Sequence, residues 1–150
     1  MESEDGEKEA SIQPVPHSTE NLVPNGTIPV DYSRQIMQIT SDQVKEESDL
    51  CEALNEAHMK TRMPGSCTAS LAKIDGETGT LSTLNLGDSG FVVLRNDAVM
   101  ARSTPQQHFF DCPKQLAACP EHCQGTDYAR DGERISLQLQ EGDIIIMGHS

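Results

Sequence analysis

The sequence predicts an α+β domain in which two amphipathic helices precede six short antiparallel strands. Two observations predict it. Apolar residues recur at helical spacing from Asp31 to His58, and after Pro64 the period becomes two. Turn-forming residues bound each period-two run, which favours a hairpin-connected sheet over parallel crossovers.

Each element can be justified in chain order. Ile36, Met37, Ile39 and Val44 fall near one helical face, and Ser33 is a candidate cap for its start. Ser48-Asp49 is a second cap. After it Leu50, Cys51, Leu54, Ala57 and His58 share a face opposite Glu52 and Glu56. Met63-Pro64-Gly65 closes the helical region, because proline cannot continue a helix and glycine releases the chain. Cys67, Ala69, Leu71 and Ile74 then mark a first strand, and Asp75-Gly76-Glu77-Thr78-Gly79 a turn. A second strand spans about Thr80–Leu86 and a third about Gly90–Arg95. Asn96-Asp97 turns the chain into a fourth over Ala98–Arg102. Residues 104–132 lack periodicity, with one helical turn expected at Gln115–Ala118. Two further strands follow near Ile135–Leu139 and Asp143–Met147. Read as a meander, these strands put Leu71, Leu84, Leu86, Val92, Leu94, Ile144 and Ile146 on the inner faces.

At 150 residues the chain suits one domain rather than two. A net charge of −13 and a pI near 4.6 argue against a nucleic-acid partner, which would require clustered Lys and Arg. Residues 1–30 combine an acidic start with Pro14, Pro16, Pro24 and Pro29, and read as a disordered tail ahead of a domain at 31–150. No run approaches the roughly 18 apolar residues of a membrane helix. No targeting segment stands at Met1, so the chain reads as soluble. Cys51, Cys67, Cys112, Cys119 and Cys123 form no even framework, which fits a reducing, intracellular compartment.

The residues closest to chemistry lie in four blocks. Gly65-Ser66-Cys67-Thr68-Ala69 comes first and Leu86-Gly87-Asp88-Ser89-Gly90 second. Ser103-Thr104-Pro105-Gln106-Gln107-His108-Phe109-Phe110 follows, and Glu141-Gly142-Asp143 leads into Ile144-Ile145-Ile146. In this order and spacing they resemble the type 2C, metal-dependent (PPM-type) serine/threonine protein phosphatases. The resemblance implies part of an antiparallel β-sandwich flanked by α-helices. It further implies hydrolysis of phosphoproteins by a water activated between two Mg2+ or Mn2+ ions. That family's metals are held mostly by aspartates, from an Asp-Gly-x-Gly-Gly motif and from Asp-Gly and Asp-Asn pairs. Residues 1–32 contain no Asp-Gly-x-Gly-Gly, and the last strand is followed by Gly148-His149-Ser150. The resemblance therefore implies a partial catalytic domain, inactive alone, or else a non-catalytic decoy module derived from such an enzyme. Asp88 is the one position with a metal-site counterpart, at a third and weaker site, and Thr68 corresponds to a nearby threonine. As residues alone, they read as a turn acceptor and an ordinary strand residue.

Two other chemistries are weaker. Cys112, Cys119, Cys123, His108 and His122 could supply zinc ligands, but Cys119 and Cys123 make a single pair at a poor spacing. A cysteine nucleophile would need a partner base, and no local context singles one out. His58, at the rim of a helix face, reads as a packed or solvated histidine rather than a base.

Overall fold

The computed structural model describes residues 29–45, 48–118 and 125–149. The proposed tail lies almost entirely outside them. Helix α1 spans Pro29–Gln43 and α2 spans Leu50–Lys60. The strands are β1 (Ser66–Cys67), β2 (Ala69–Ile74), β3 (Thr80–Leu86), β4 (Gly90–Arg95) and β5 (Ala98–Arg102). After them come β6 (Gln107–Phe109), β7 (Cys112–Pro113), β8 (Leu116–Ala117), β9 (Glu133–Gln138) and β10 (Ile144–Gly148).

The predicted α+β class holds, and both helices stand where the periodicity put them. Asp49 caps α2, its Oδ1 accepting from the Cys51 amide at 2.7 Å. Ser33 does not cap α1, which begins at Pro29; proline's fixed φ suits a first turn, and Ser33 is buried inside the helix. The Asp75–Gly79 turn forms, with the Gly79 amide donating to the Asp75 carbonyl at 2.7 Å. Asn96 and Asp97 take φ of 50° and 61°, as a tight hairpin of right-twisted strands requires.

The strands do not make one meander. They divide into two three-stranded antiparallel sheets, β2-β3-β9 and β10-β4-β5, with two small ladders, β1-β8 and β6-β7. Consecutive β3 and β4 do not pair, because Gly87–Gly90 carries the chain from one sheet to the other. Residues Gln115–Ala118 form no helical turn: Leu116 and Ala117 pair with Cys67 and Ser66, which takes up backbone groups that a lone turn would leave unmet.

Two cores follow from this partition. Leu71, Leu84 and Leu86 lie on the outer face of the first sheet and are buried beneath Tyr32, Ile36, Leu50, Leu54 and Ala57 of the helix pair. Between the sheets pack Ala72, Leu81, Phe91 and Val93, with Ile135, Leu137, Ile145 and Met147 against them. The expected inner faces are thus corrected. Val92, Leu94, Ile144 and Ile146 point away from the sandwich, and their neighbours in sequence fill it. Arg95 braces the second sheet through two 2.8 Å bonds to Asp143. These bonds and the Gln140 amide hold the Asp143 carboxyl down at about 2.

Candidate functional site

The Gly87–Gly90 corner is built by residues from four segments. Gly87 takes a φ of +93° and presses against the Lys114 carbonyl and the Thr68 side chain, where a Cβ would lie 2.5 Å from each. Its carbonyl accepts from the Gln106 amide at 2.9 Å, and the Gln106 side chain reaches the Asp131 carbonyl at 2.9 Å. Thr68 and Ser89 are both buried, and their hydroxyls meet at 2.5 Å. Ser103 closes the far side, with its Oγ accepting from the Phe91 amide at 2.9 Å. Asp88 stands half-buried at the tip of this braced corner.

The structure therefore brings Thr68 and the Gly-Asp-Ser corner together, as the motif spacing implied. It also shows what the Gln-Gln-His-Phe-Phe block does. Gln106 ties the corner to the segment before β9, and His108 Nε2 meets Asp127 Oδ2 at 2.9 Å. Asp127 also accepts from the Gln115 amide at 2.8 Å, so this pair anchors β6 to the loop before the 3₁₀ turn at Ala129–Asp131. Ser103 heads the third block, as Ser103-Thr104-Pro105 before Gln106, where it had no role assigned, and sequence reasoning missed Asp127 and Asp131 as supports. The only trace of them is a polar, period-free run after each strand.

The donor set does not fit a binuclear metal centre. Among the described residues, no three or more His, Cys, Asp or Glu side chains converge as ligands. Mg2+ bound by protein keeps near-octahedral oxygen coordination, and one carboxylate at a corner does not supply it. Cys119, His122 and Cys123 lie outside the described residues; Cys112 and His108 form no ligand cluster among those described. Burial pushes the Cys67 thiol up to about 12, so it stays protonated and is no nucleophile.

A cleft of about 300 Å3 opens at the opposite end of β3, where α2 begins. Asp49, Cys51, Lys73, Ser82, Arg134 and Ser136 line it. Its charges are already engaged: Arg134 meets Asp49 at 3.4 Å, and Lys73 reaches the Ser48 carbonyl at 2.5 Å.

His58 is buried, which decides between the packed and solvated readings. Its Nε2 lies 2.9 Å from the Ala117 carbonyl, which makes that nitrogen the protonated one. Among the described residues Nδ1 has no hydrogen-bond partner. Burial lowers its pKa below the ordinary 6.5, and the Ala117 carbonyl opposes this more weakly. The sign follows. Below the ordinary histidine pKa the unfolded chain takes up a proton that the folded chain resists, so acid favours unfolding. Stability is expected to fall as pH drops through about 6.5, and a His58→Gln variant should lose that component. Urea melts of both proteins at about pH 7.5 and about pH 5.5 check it; equal pH sensitivity would remove His58 as the cause.

Two facing antiparallel sheets, a helix pair on one of them, and a Gly-Asp-Ser crossover define a phosphatase-type sandwich. Similarity to individual proteins supports a type 2C (PPM-type) phosphatase domain, of which the chain spans a part. No family model matches the chain. The placement rests on individual proteins. The chain is 37% identical over 123 residues to the rice protein named probable protein phosphatase 2C 1, covering 80% of this chain and 36% of that one. It is 34% identical over 136 residues to the human protein phosphatase PTC7 homolog, covering 81% and 44%. The solved structure of the photosystem II phosphatase PBCP superposes with a TM-score of 0.73 at 34% identity, over 81% of this chain and 47% of that one. The chain thus spans less than half the length of each of these three proteins. Among the described residues no helix is long and apolar enough to cross a membrane.

Proposed function

We propose that residues 31–150 form the middle of a protein serine/threonine phosphatase domain, whose whole removes phosphate from phosphoproteins with Mg2+ or Mn2+. The observation that carries this reading is the similarity to phosphatases over four-fifths of the chain, with the Gly-Asp-Ser corner intact in fold. In this reading the segment supplies the sandwich and the braced corner. Asp88 is its contribution to the metal region, as a third-site carboxylate. The remaining carboxylates belong to polypeptide outside this segment, since a phosphoryl-transfer centre needs several of them converging on its ions.

The test is a phosphate-release assay. Purified 1–150 is expected to show no Mn2+- or Mg2+-dependent turnover of a phosphopeptide. A version joined to the flanking parts of the human PTC7 homolog is expected to show it, and Asp88→Ala in that version to weaken its metal dependence. Turnover by 1–150 that disappears in Asp88→Ala would overturn the division of labour. A joined, folded protein without turnover would favour a non-catalytic binding module of the same fold.

A further inference from the structure

The β6-β7 hairpin that follows the Gly87–Gly90 corner ends in an aromatic tip. Its strands join through Phe110 and Asp111, and Asp111 takes a φ of 57°, a left-handed conformation that Asp tolerates better than most residues. Phe109 and Phe110 are 70% and 94% exposed. The chain has three phenylalanines and no tryptophan, and the third, Phe91, is 5% exposed between the sheets. Two adjacent aromatic side chains held in water have no purely structural reason at a turn, where polar residues serve. Gln107, His108 and Asp111 beside them are exposed as well. Consecutive residues of an extended ribbon point to opposite sides, so one layer packed on the hairpin would leave one ring in water.

The base of the hairpin is fixed, unlike its tip. On one leg the Gln106 amide donates to the Gly87 carbonyl at 2.9 Å, and the Gly87 amide donates to Gln106 Oε1 at 3.3 Å. On the other the Lys114 amide donates to the Gln106 carbonyl at 3.0 Å, and the Lys114 carbonyl lies against Gly87. The register slips between Gln107 and Phe109, and the intervening His108 meets Asp127. Both legs are therefore rooted on the residue before Asp88, and they hold out a pair of aromatic rings. Rigid aromatic anchors of this kind carry much of the energy in protein recognition.

We infer that Phe109 and Phe110 form a docking site for the substrate polypeptide, gripping an apolar side chain that flanks the phosphorylated Ser or Thr. The occupant follows from where the hairpin is rooted. A phosphoryl group held at a centre that includes Asp88 brings its own chain past the hairpin legs. Phe110 stands four positions beyond Gln106. At about 3.3 Å per residue the tip reaches on the order of 13 Å from the corner, which an extended peptide spans in about four residues. The net charge of −13 offers a phosphopeptide little electrostatic attraction, so apolar contact is the term left to hold its flank. This inference rests on the place given to Asp88 in the proposed function.

Two fluorescein-labelled phosphoserine peptides serve as probes. They are identical except at a pair of residues about four positions from the phosphoserine, Leu-Leu in one and Ser-Ser in the other. Chain 1–150 is expected to bind the leucine peptide about tenfold or more tighter, read by fluorescence anisotropy. In the joined protein described above, the same preference is expected in kcat/KM and is carried by KM. Phe110→Ser is expected to erase the preference at an unchanged melting temperature, because the ring it removes is in water. Phe110→Trp is expected to keep it, and Phe109→Ser gives a second reading should Phe110→Ser misfold. Equal affinity for the two peptides would overturn the proposal, as would a preference unchanged in the folded serine variants. Self-association, or binding to phosphatidylcholine vesicles, that Phe110→Ser abolishes would overturn it too, making a second copy or a lipid surface the occupant. A joined protein without turnover counts against the proposed function alone, because the peptide preference of 1–150 is read without catalysis.

Discussion

Gly87→Ala is expected to destabilise the domain by about 3 kcal/mol or more, the sum of backbone strain and collision. The residue sits at φ +93°, where an L side chain is strained whatever space surrounds it. Space is also absent. An added Cβ would stand 2.5 Å from the Lys114 carbonyl oxygen and 2.5 Å from Thr68 Cγ2. Neither neighbour is free to withdraw. Lys114 is fixed by its amide bond to the Gln106 carbonyl at 3.0 Å, and Thr68 by the buried hydroxyl pair with Ser89. Relief would therefore have to come from moving the crossover itself, which holds the two sheets in position. Urea denaturation of the parent and the variant checks it. A midpoint shift equivalent to under about 1 kcal/mol would show that the corner is slack. Gly142 is the control: it also has positive φ, +91°, but nothing lies within 4 Å of its would-be Cβ. Alanine there meets strain without collision and should cost clearly less.

How far the sequence reaches can be judged on particular strands. Three local signals held, since each depends on residues within a few positions: Asp49 caps, Asp75–Gly79 turns, and Asn96-Asp97 reverses the chain; the Ser33 cap and the Gln115–Ala118 helical turn did not. The two hairpin pairings, β2-β3 and β4-β5, were legible from their turns, and the long-range ones were not. The Thr83 hydroxyl reaches the Ile135 carbonyl across a separation of 52 residues, and nothing local in β3 names β9 rather than β4 as its neighbour. The phase of β4 and β10 was not legible either, for a different reason. Alternation reports which side faces the core only when the other side is polar. In Ile144-Ile145-Ile146-Met147 both sides are apolar, so the wrong set was placed inside. For the candidate site, the motif blocks located Thr68 and Asp88 correctly at one corner. Its supports, Ser103, Gln106 and Asp131, act through individual backbone and side-chain hydrogen bonds, which leave no periodic trace.

The same ambiguity gives the second large effect. Leu84→Ala is expected to cost about 2–5 kcal/mol, against a total stability for a domain of about 5–15 kcal/mol. Leu84 is 1% exposed, pairs with Leu71 across β2-β3, and lies under the helix pair. Truncation there removes transfer free energy and leaves a cavity that a sheet clamped between helices and the opposing sheet closes poorly. Ile146→Ala removes a larger share of a strand residue than a methyl group, yet it should cost under about 1 kcal/mol in the isolated chain. Half of that side chain is already in water, and no cavity can form on an open face. The pair thus separates the two outer faces of the sandwich, one closed by α1 and α2 and one open to solvent among the described residues. Chemical denaturation of both variants measures the difference. Comparable losses at Leu84 and Ile146 would mean that something in the chain already buries the second face.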